Sequence, residues 1–185
     1  MSTYVIAEAG ACGDADLSKM LQQVKFAKSA GADAVKFQWT SNSEKMSTNR
    51  GSIGAFSYAS IYERYIQWPK EWHSVLHESS REIGLDYMCT VYLPEDIQVV
   101  EPFVSSFKVA SFEMTDDRFI RAHAEYLSTS DDREVFISTG MSTTESLERL
   151  ASKVLCHLPE KRWRLMHCVS AYPSPIEELN LRCIY

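Results

Sequence analysis

The chain has 185 residues, 45% hydrophobic and 24% charged, a globular composition that excludes a disordered chain. Its formal net charge of −6 argues against nucleic acid as a partner, and no apolar stretch approaches the roughly 20 residues that span a bilayer. The five cysteines (Cys12, Cys89, Cys156, Cys168 and Cys183) are odd in number and include no CxxC pair, so neither a disulfide framework nor a zinc ribbon is expected.

The N-terminus lacks the basic, apolar and small-residue regions of a signal peptide, and the expected location is cytoplasmic. The first apolar run is YVIAEAG at 4–10. Asp16 then caps a predicted helix with Leu17, Met20, Leu21, Val24 and Ala27 on one stripe. Gly31 is placed to end it in the left-handed conformation, and AVKFQ at 34–38 follows at once. Residues 40–67 are the least regular stretch, with Ser, Asn and Gly beside Phe56, Tyr58, Tyr62 and Tyr65. A loop this long after a strand predicts a lid or a substrate wall. Trp68-Pro69 opens the next helix and Gly84 ends it, before LDYMCT at 85–90. Pro94 starts a short helix through Val99 and Val100. SFKVAS at 106–111 comes next, with Glu113 just beyond. Helices are expected over 115–127 and 142–157, the latter with Ser142 and Glu145 as a capping box, on either side of EVFISTG at 134–140. RLMHCVSAYP at 164–173 is the sixth run, and Pro175 opens a last helix, PIEELNLRCIY.

Apolar runs alternating with helical stretches predict parallel strands joined by crossover helices, an α/β fold. Active sites in such folds gather at the carboxyl ends of the strands. Glu8, Lys36, Thr90, Lys108, Ser111, Glu113, Ser138, Ser170 and Tyr172 are therefore expected to point to one side. Lys36 and Lys108 lie in apolar runs, where a lysine requires an anionic partner. One reading is an ion pair with a neighbouring carboxylate such as Glu8 or Glu113. The other is a pair of cations gripping a phosphate or carboxylate, with Thr90, Ser111 and Ser138 adding hydroxyl donors. Glu8 and Glu113 suit acid–base work or acceptance from sugar hydroxyls. His73 and His77 have a metal-clip spacing but lack the Glu of a metalloprotease, which favours a surface position. His167, lone in an apolar run, reads as a core residue or a ligand. No P-loop or GxGxxG motif is present.

IAEAG, AGADAVKFQ, FKVASFE, ISTGMS and LMHCVSAYPSP-x₄-NL occur in this order from about residue 4 to 181. Together they resemble the sialic acid synthase family, which includes N-acetylneuraminate synthase and its legionaminate, pseudaminate and spore-coat relatives. The resemblance implies a TIM (β/α)₈-type barrel that condenses phosphoenolpyruvate with an N-acylated hexosamine such as N-acetylmannosamine. The product is a nine-carbon 2-keto sugar acid, with phosphate released. It implies that Lys36, Thr90, Lys108, Ser111, Ser138, Ser170 and Tyr172 hold phosphoenolpyruvate. Glu113 would bind the amino sugar, and Glu8 would be a strand-one carboxylate near the reacting carbons. A divalent ion, Mn²⁺ or Mg²⁺, and a homodimer are also implied.

The chain departs from that pattern in places. Ala11-Cys12-Gly13-Asp14 stands where the family has an Asn-His-x-Gly turn, and CTVYLPED where relatives have STPFD. Six strands are fewer than the eight, in about 250 residues, of a closed barrel. The expectation is that 1–185 forms about six βα units of an incomplete barrel. The last two units, both metal-binding histidines and the C-terminal antifreeze-like domain would lie outside it, and the chain alone would be inactive. The alternatives are a non-catalytic or split remnant needing a partner chain, and another phosphoenolpyruvate-using barrel such as a 3-deoxy-heptulosonate phosphate synthase.

Overall fold

The computed structural model describes residues 3–47, 51–128, 132–153, 155–157 and 162–184. The chain divides into two units, Met1–Ser105 and Ser106–Tyr185, and each is built of parallel strands with crossover helices.

In the first unit, β1 (Ile6–Gly10) leads through α1 (Leu17–Ser29) to β2 (Ala34–Trp39). Next come α2 (Ser43–Met46), a short hairpin of β3 (Ser52–Ile53) and β4 (Phe56–Ser57), α3 (Tyr58–Ile66) and α4 (Trp72–Glu82). Then follow β5 (Asp86–Val91) and α5 (Pro94–Val100). Asp16 caps α1 as expected, its carboxylate accepting from the backbone N–H groups of Ser18 and Lys19 at 2.9 and 3.2 Å. Gly31 follows the helix at φ +82°, a conformation that glycine adopts without steric penalty.

β2 runs parallel between β1 and β5, with Glu8 opposite Lys36 and Gln38 opposite Thr90. Side chains alternate across a strand. Val35, Phe37, Trp39, Tyr87, Cys89 and Val91 therefore take one face, and Lys36, Met88 and Thr90 the other, all of them buried. That double burial makes both strands read as near-continuous apolar runs.

His73 is a correction. It is fully buried, not at the surface. Its Nδ1 lies 2.7 Å from the Tyr87 hydroxyl, and its ring packs against Trp39, Trp68 and Phe103. His73, Leu76 and Ser80 form the buried stripe of α4, so the helical period places His73 inward, with only half-buried His77 near the rim.

The stretch 40–67 is also more regular than expected, holding α2, the hairpin and α3. Ser57 caps α3 by accepting from the Ser60 N–H at 3.1 Å. Tyr58, Tyr62 and Tyr65 recur at helical spacing, a signal that the surrounding Ser and Gly obscure. Residues 48–50 of this stretch lie outside the described residues.

In the second unit, β6 (Ser106–Val109) and a 3₁₀ turn at Glu113–Thr115 precede α6 (Asp117–Ser128). β7 (Glu134–Ser138), α7 (Thr144–Lys153) and β8 (Trp163–Met166) follow. β7 runs parallel between β6 and β8, with Lys108 opposite Phe136 and Ser138 opposite Met166. Phe107 centres the core, with the rings of His123 and Tyr126 edge-on at 5.3 and 4.7 Å.

Three expectations shift here. The capping pair lies one residue later than expected: the Ser146 N–H donates to Thr143 Oγ1 at 3.2 Å, and the Thr143 N–H to Ser146 Oγ at 2.9 Å. Ser142 turns back to the Thr139 carbonyl at 2.5 Å instead. The sixth strand stops at Met166, whose carbonyl receives both the N–H and the hydroxyl of Thr139. The segment after Pro175 forms only two 3₁₀ turns, Ile176–Glu178 and Leu181–Ile184, separated by Asn180 at φ +39°. Neither turn buries a side chain, and a helix that short has no other source of stability. Residues 154 and 158–161 of the expected 142–157 helix and its flank lie outside the described residues. No helix among the described residues is long and apolar enough to cross a membrane.

Burial lowers the His73 pKa to about 3 and that of His123 to about 4, while the Phe119 carbonyl pulls His123 the other way. The unfolded chain takes up both protons near pH 6.5, and the folded chain only near 3 to 4. The unfolded state thus binds more protons across that window, and stability falls as pH falls. Urea titrations should lose on the order of 2 kcal/mol per histidine between neutral pH and about pH 5. His123→Phe should remove one histidine's share of the slope. An unchanged slope in that variant would contradict the assignment.

Candidate active site

A lysine inside a parallel strand must satisfy three N–H donors and a full charge. Lys36 Nζ lies 2.7 Å from Glu8 Oε2 and donates to Thr90 Oγ1 at 3.1 Å. The register places these three residues together: Glu8 is opposite Lys36, and Thr90 lies two residues beyond Met88, Lys36's other neighbour. The Lys36 side chain is 3% exposed and that of Glu8 52%. Glu8 thus carries the negative charge at the solvent boundary, while the ammonium sits inside. Two of its three donors are used within the described residues. The Thr90 hydroxyl accepts from Lys36 and keeps its own proton to donate. The ion-pair reading of Lys36 is therefore realised with Glu8, and a donor remains for a further anion.

The second unit gathers another set. The backbone N–H of Gly140 donates to Ser111 Oγ at 3.2 Å, and the Ser170 hydroxyl donates to the Gly140 carbonyl. Ser138 ends β7, and its hydroxyl oxygen is buried with no hydrogen-bond partner among the described residues. A buried hydroxyl without a partner is unfavourable unless something else completes it. Glu113 is half-buried. Burial raises its pKa, while its own backbone N–H and the Lys108 ammonium pull it down. A carboxyl held between these influences suits proton transfer. Tyr172 is fully exposed and meets none of the others.

Asp96 is a further candidate, not conspicuous in the sequence. It is fully buried, its Oδ2 accepts from the Ser41 N–H at 3.1 Å, and its Oδ1 has no partner among the described residues. Burial raises its pKa against the pull of the Ser41 and Thr40 groups. The signal was an acid in the first turn of a helix directly after a strand exit, which reads equally well as a solvated N-terminal acid. His167 is exposed, its Nε2 2.8 Å from the Leu179 carbonyl, which removes the core reading. Among the described residues no three His, Cys, Asp or Glu side chains converge. By themselves those residues do not form a site for a divalent ion.

The Lys36 pair makes an asymmetric prediction. Glu8→Ala leaves a buried ammonium unpaired and should cost about 2 kcal/mol, less than for a fully buried pair because Glu8 is half solvated. Lys36→Met removes charge and keeps volume, so it should change stability by less than about 1.5 kcal/mol. Urea denaturation of both variants checks the order, and the reverse ranking would contradict it.

The NeuB family matches residues 23–185 of this chain. The pseudaminic acid synthase of Campylobacter jejuni is 31% identical over 98% of the chain and 53% of its own length. The N,N'-diacetyllegionaminic acid synthase of Legionella pneumophila is 26% identical over 100% of the chain and 53% of its own length. The crystal structure of the N-acetylneuraminic acid synthetase of Leptospira borgpetersenii superposes with a TM-score of 0.82 at 25% identity, covering 98% of this chain and 60% of that one. The chain spans about half the length of the curated relatives it matches. The expected α/β barrel-type fold is therefore present, and the chain belongs to the NeuB family.

Proposed function

We propose that the chain carries the phosphoenolpyruvate-handling part of a synthase that makes a nine-carbon 2-keto sugar acid. The co-substrate is an N-acylated hexosamine. The enol carbon of phosphoenolpyruvate bonds to the sugar's aldehyde carbon, water adds at the pyruvyl carbon, and phosphate leaves. The observation that carries this reading is buried Lys36, anchored by Glu8 and Thr90 with one donor left over. A fixed, poorly solvated cation suits an anion that must be oriented as well as bound.

Thr90 and Ser111 each keep a hydroxyl proton for an anionic oxygen, and Ser138 holds an uncommitted buried hydroxyl. Lys108 adds positive charge near Glu113. Glu113, its pKa raised by burial, takes the amino sugar. The names of the relatives support the class of product, since they are synthases of pseudaminic and legionaminic acids.

Calorimetric titration of phosphoenolpyruvate into the purified chain tests the reading. Wild type should bind, and Lys36→Met should bind about a hundredfold more weakly at unchanged circular dichroism. Equal binding by the two proteins, or none by wild type, would overturn the assignment.

A further inference from the structure

Ser111, Gly140 and Ser170 come from three separate segments of the second unit and meet at the backbone of Gly140, Ser111 on its N–H and Ser170 on its carbonyl. A backbone N–H can only donate and a carbonyl can only accept. The contact from the Gly140 N–H therefore makes Ser111 Oγ an acceptor at that end, and its own proton stays free. The contact to the Gly140 carbonyl consumes the one proton of Ser170, leaving that hydroxyl with lone pairs alone. The two serines, alike in sequence, are thus opposite in chemistry.

The same position is too crowded to take a Cβ without moving its neighbours. A Cβ on Gly140 would stand 2.7 Å from Ser170 Oγ, 3.0 Å from Ser111 Oγ and 3.2 Å from Cys168 Cβ. Real Cβ atoms essentially never stand as close as the first of these, so the Ser170 hydroxyl would have to move, and the tight second contact would push the Ser111 hydroxyl back from the Gly140 N–H. The φ of Gly140 is not in the left-handed region, so the requirement for glycine here is one of space.

We propose that Gly140 is a positioning residue that sets the hydrogen-bond polarity of the two serines. Ser111 becomes a donor aimed at an anionic oxygen of phosphoenolpyruvate. Ser170 becomes an acceptor that holds a hydroxyl group or a water. The proposal rests on the phosphoenolpyruvate reading above and sharpens it, because it divides residues that the resemblance groups together.

Calorimetric titration of phosphoenolpyruvate into wild type, Ser111→Ala, Ser170→Ala, Gly140→Ala and the Ser111→Ala/Gly140→Ala double variant tests it. Ser111→Ala and Gly140→Ala should each weaken binding about tenfold, and the double variant no more than either alone. Ser170→Ala should stay within about twofold, since an acceptor contributes nothing to an anion's affinity. A merely structural role for Gly140 would give additive losses in the double variant. Additive losses, wild-type affinity in Gly140→Ala, or equal losses in the two serine variants would overturn the proposal while leaving phosphoenolpyruvate binding intact. Absence of binding by wild type would overturn the phosphoenolpyruvate reading, and this proposal with it. Should Gly140→Ala fail to fold, the contrast between the two serine variants still decides. A crystal structure of Gly140→Ala supplies a ligand-free check: displaced Ser111 and Ser170 hydroxyls are expected, and unmoved ones would refute the positioning role.

Discussion

Lys36 places a full positive charge in the middle strand of the first unit, and the surrounding structure answers to that charge. Transfer of an ammonium from water into a protein interior is costly unless a counter-charge and hydrogen bonds replace its hydration. Glu8 supplies the charge from β1 and Thr90 an acceptor from β5, so three adjacent strands are tied through one nitrogen. The arrangement works only in the observed register. A slip of one residue would turn Lys36 to the face occupied by Val35, Phe37 and Trp39. The packing of α1 and α4 against that apolar face thus helps to hold the ammonium in place on the other.

The apolar face has its own polar member in His73. Burial among its aromatic neighbours keeps it neutral, and its Nδ1 lies in hydrogen-bond contact with the Tyr87 hydroxyl. His123 occupies the comparable place in the second unit, against Phe107 and bonded to the Phe119 carbonyl. Both histidines therefore belong to the core and its pH sensitivity, and neither is placed to hold a metal. The chemistry-bearing groups are instead carboxylates, lysines and hydroxyls, a set suited to gripping an anion and moving protons.

Much of the site was legible because its residues interrupt apolar runs. Lys36 is conspicuous in AVKFQ, and so is Lys108 in FKVAS, since burial makes a charge among Val and Phe improbable without a purpose. Asp16 and Gly31 were legible for a local reason: cap geometry depends on a few consecutive residues. Asp96 escaped because an acid in the first turn of a helix is ordinary when exposed, and exposure is not written in the local sequence. Gly140 escaped for a different reason: its importance lies in two serines 29 and 30 residues away. The end of the chain was misread because Pro175 and the apolar residues after it satisfy a helix's local rules, while the packing that would stabilise one does not form.

By itself the sequence determined the alternation of strands and helices, most of their limits and the identity of the polar residues that end the strands. Those are properties of period, propensity and composition, carried within a dozen residues. Only the tertiary structure decided which of those residues share a hydrogen bond, which are buried and what role each hydroxyl can take. That Lys36 pairs with Glu8, that Ser138 has no partner among the described residues and that the Gly140 backbone divides Ser111 from Ser170 all depend on distances between segments far apart in the chain. Hydrogen bonding and desolvation act over a few ångströms of space, and no local pattern of residues records that separation.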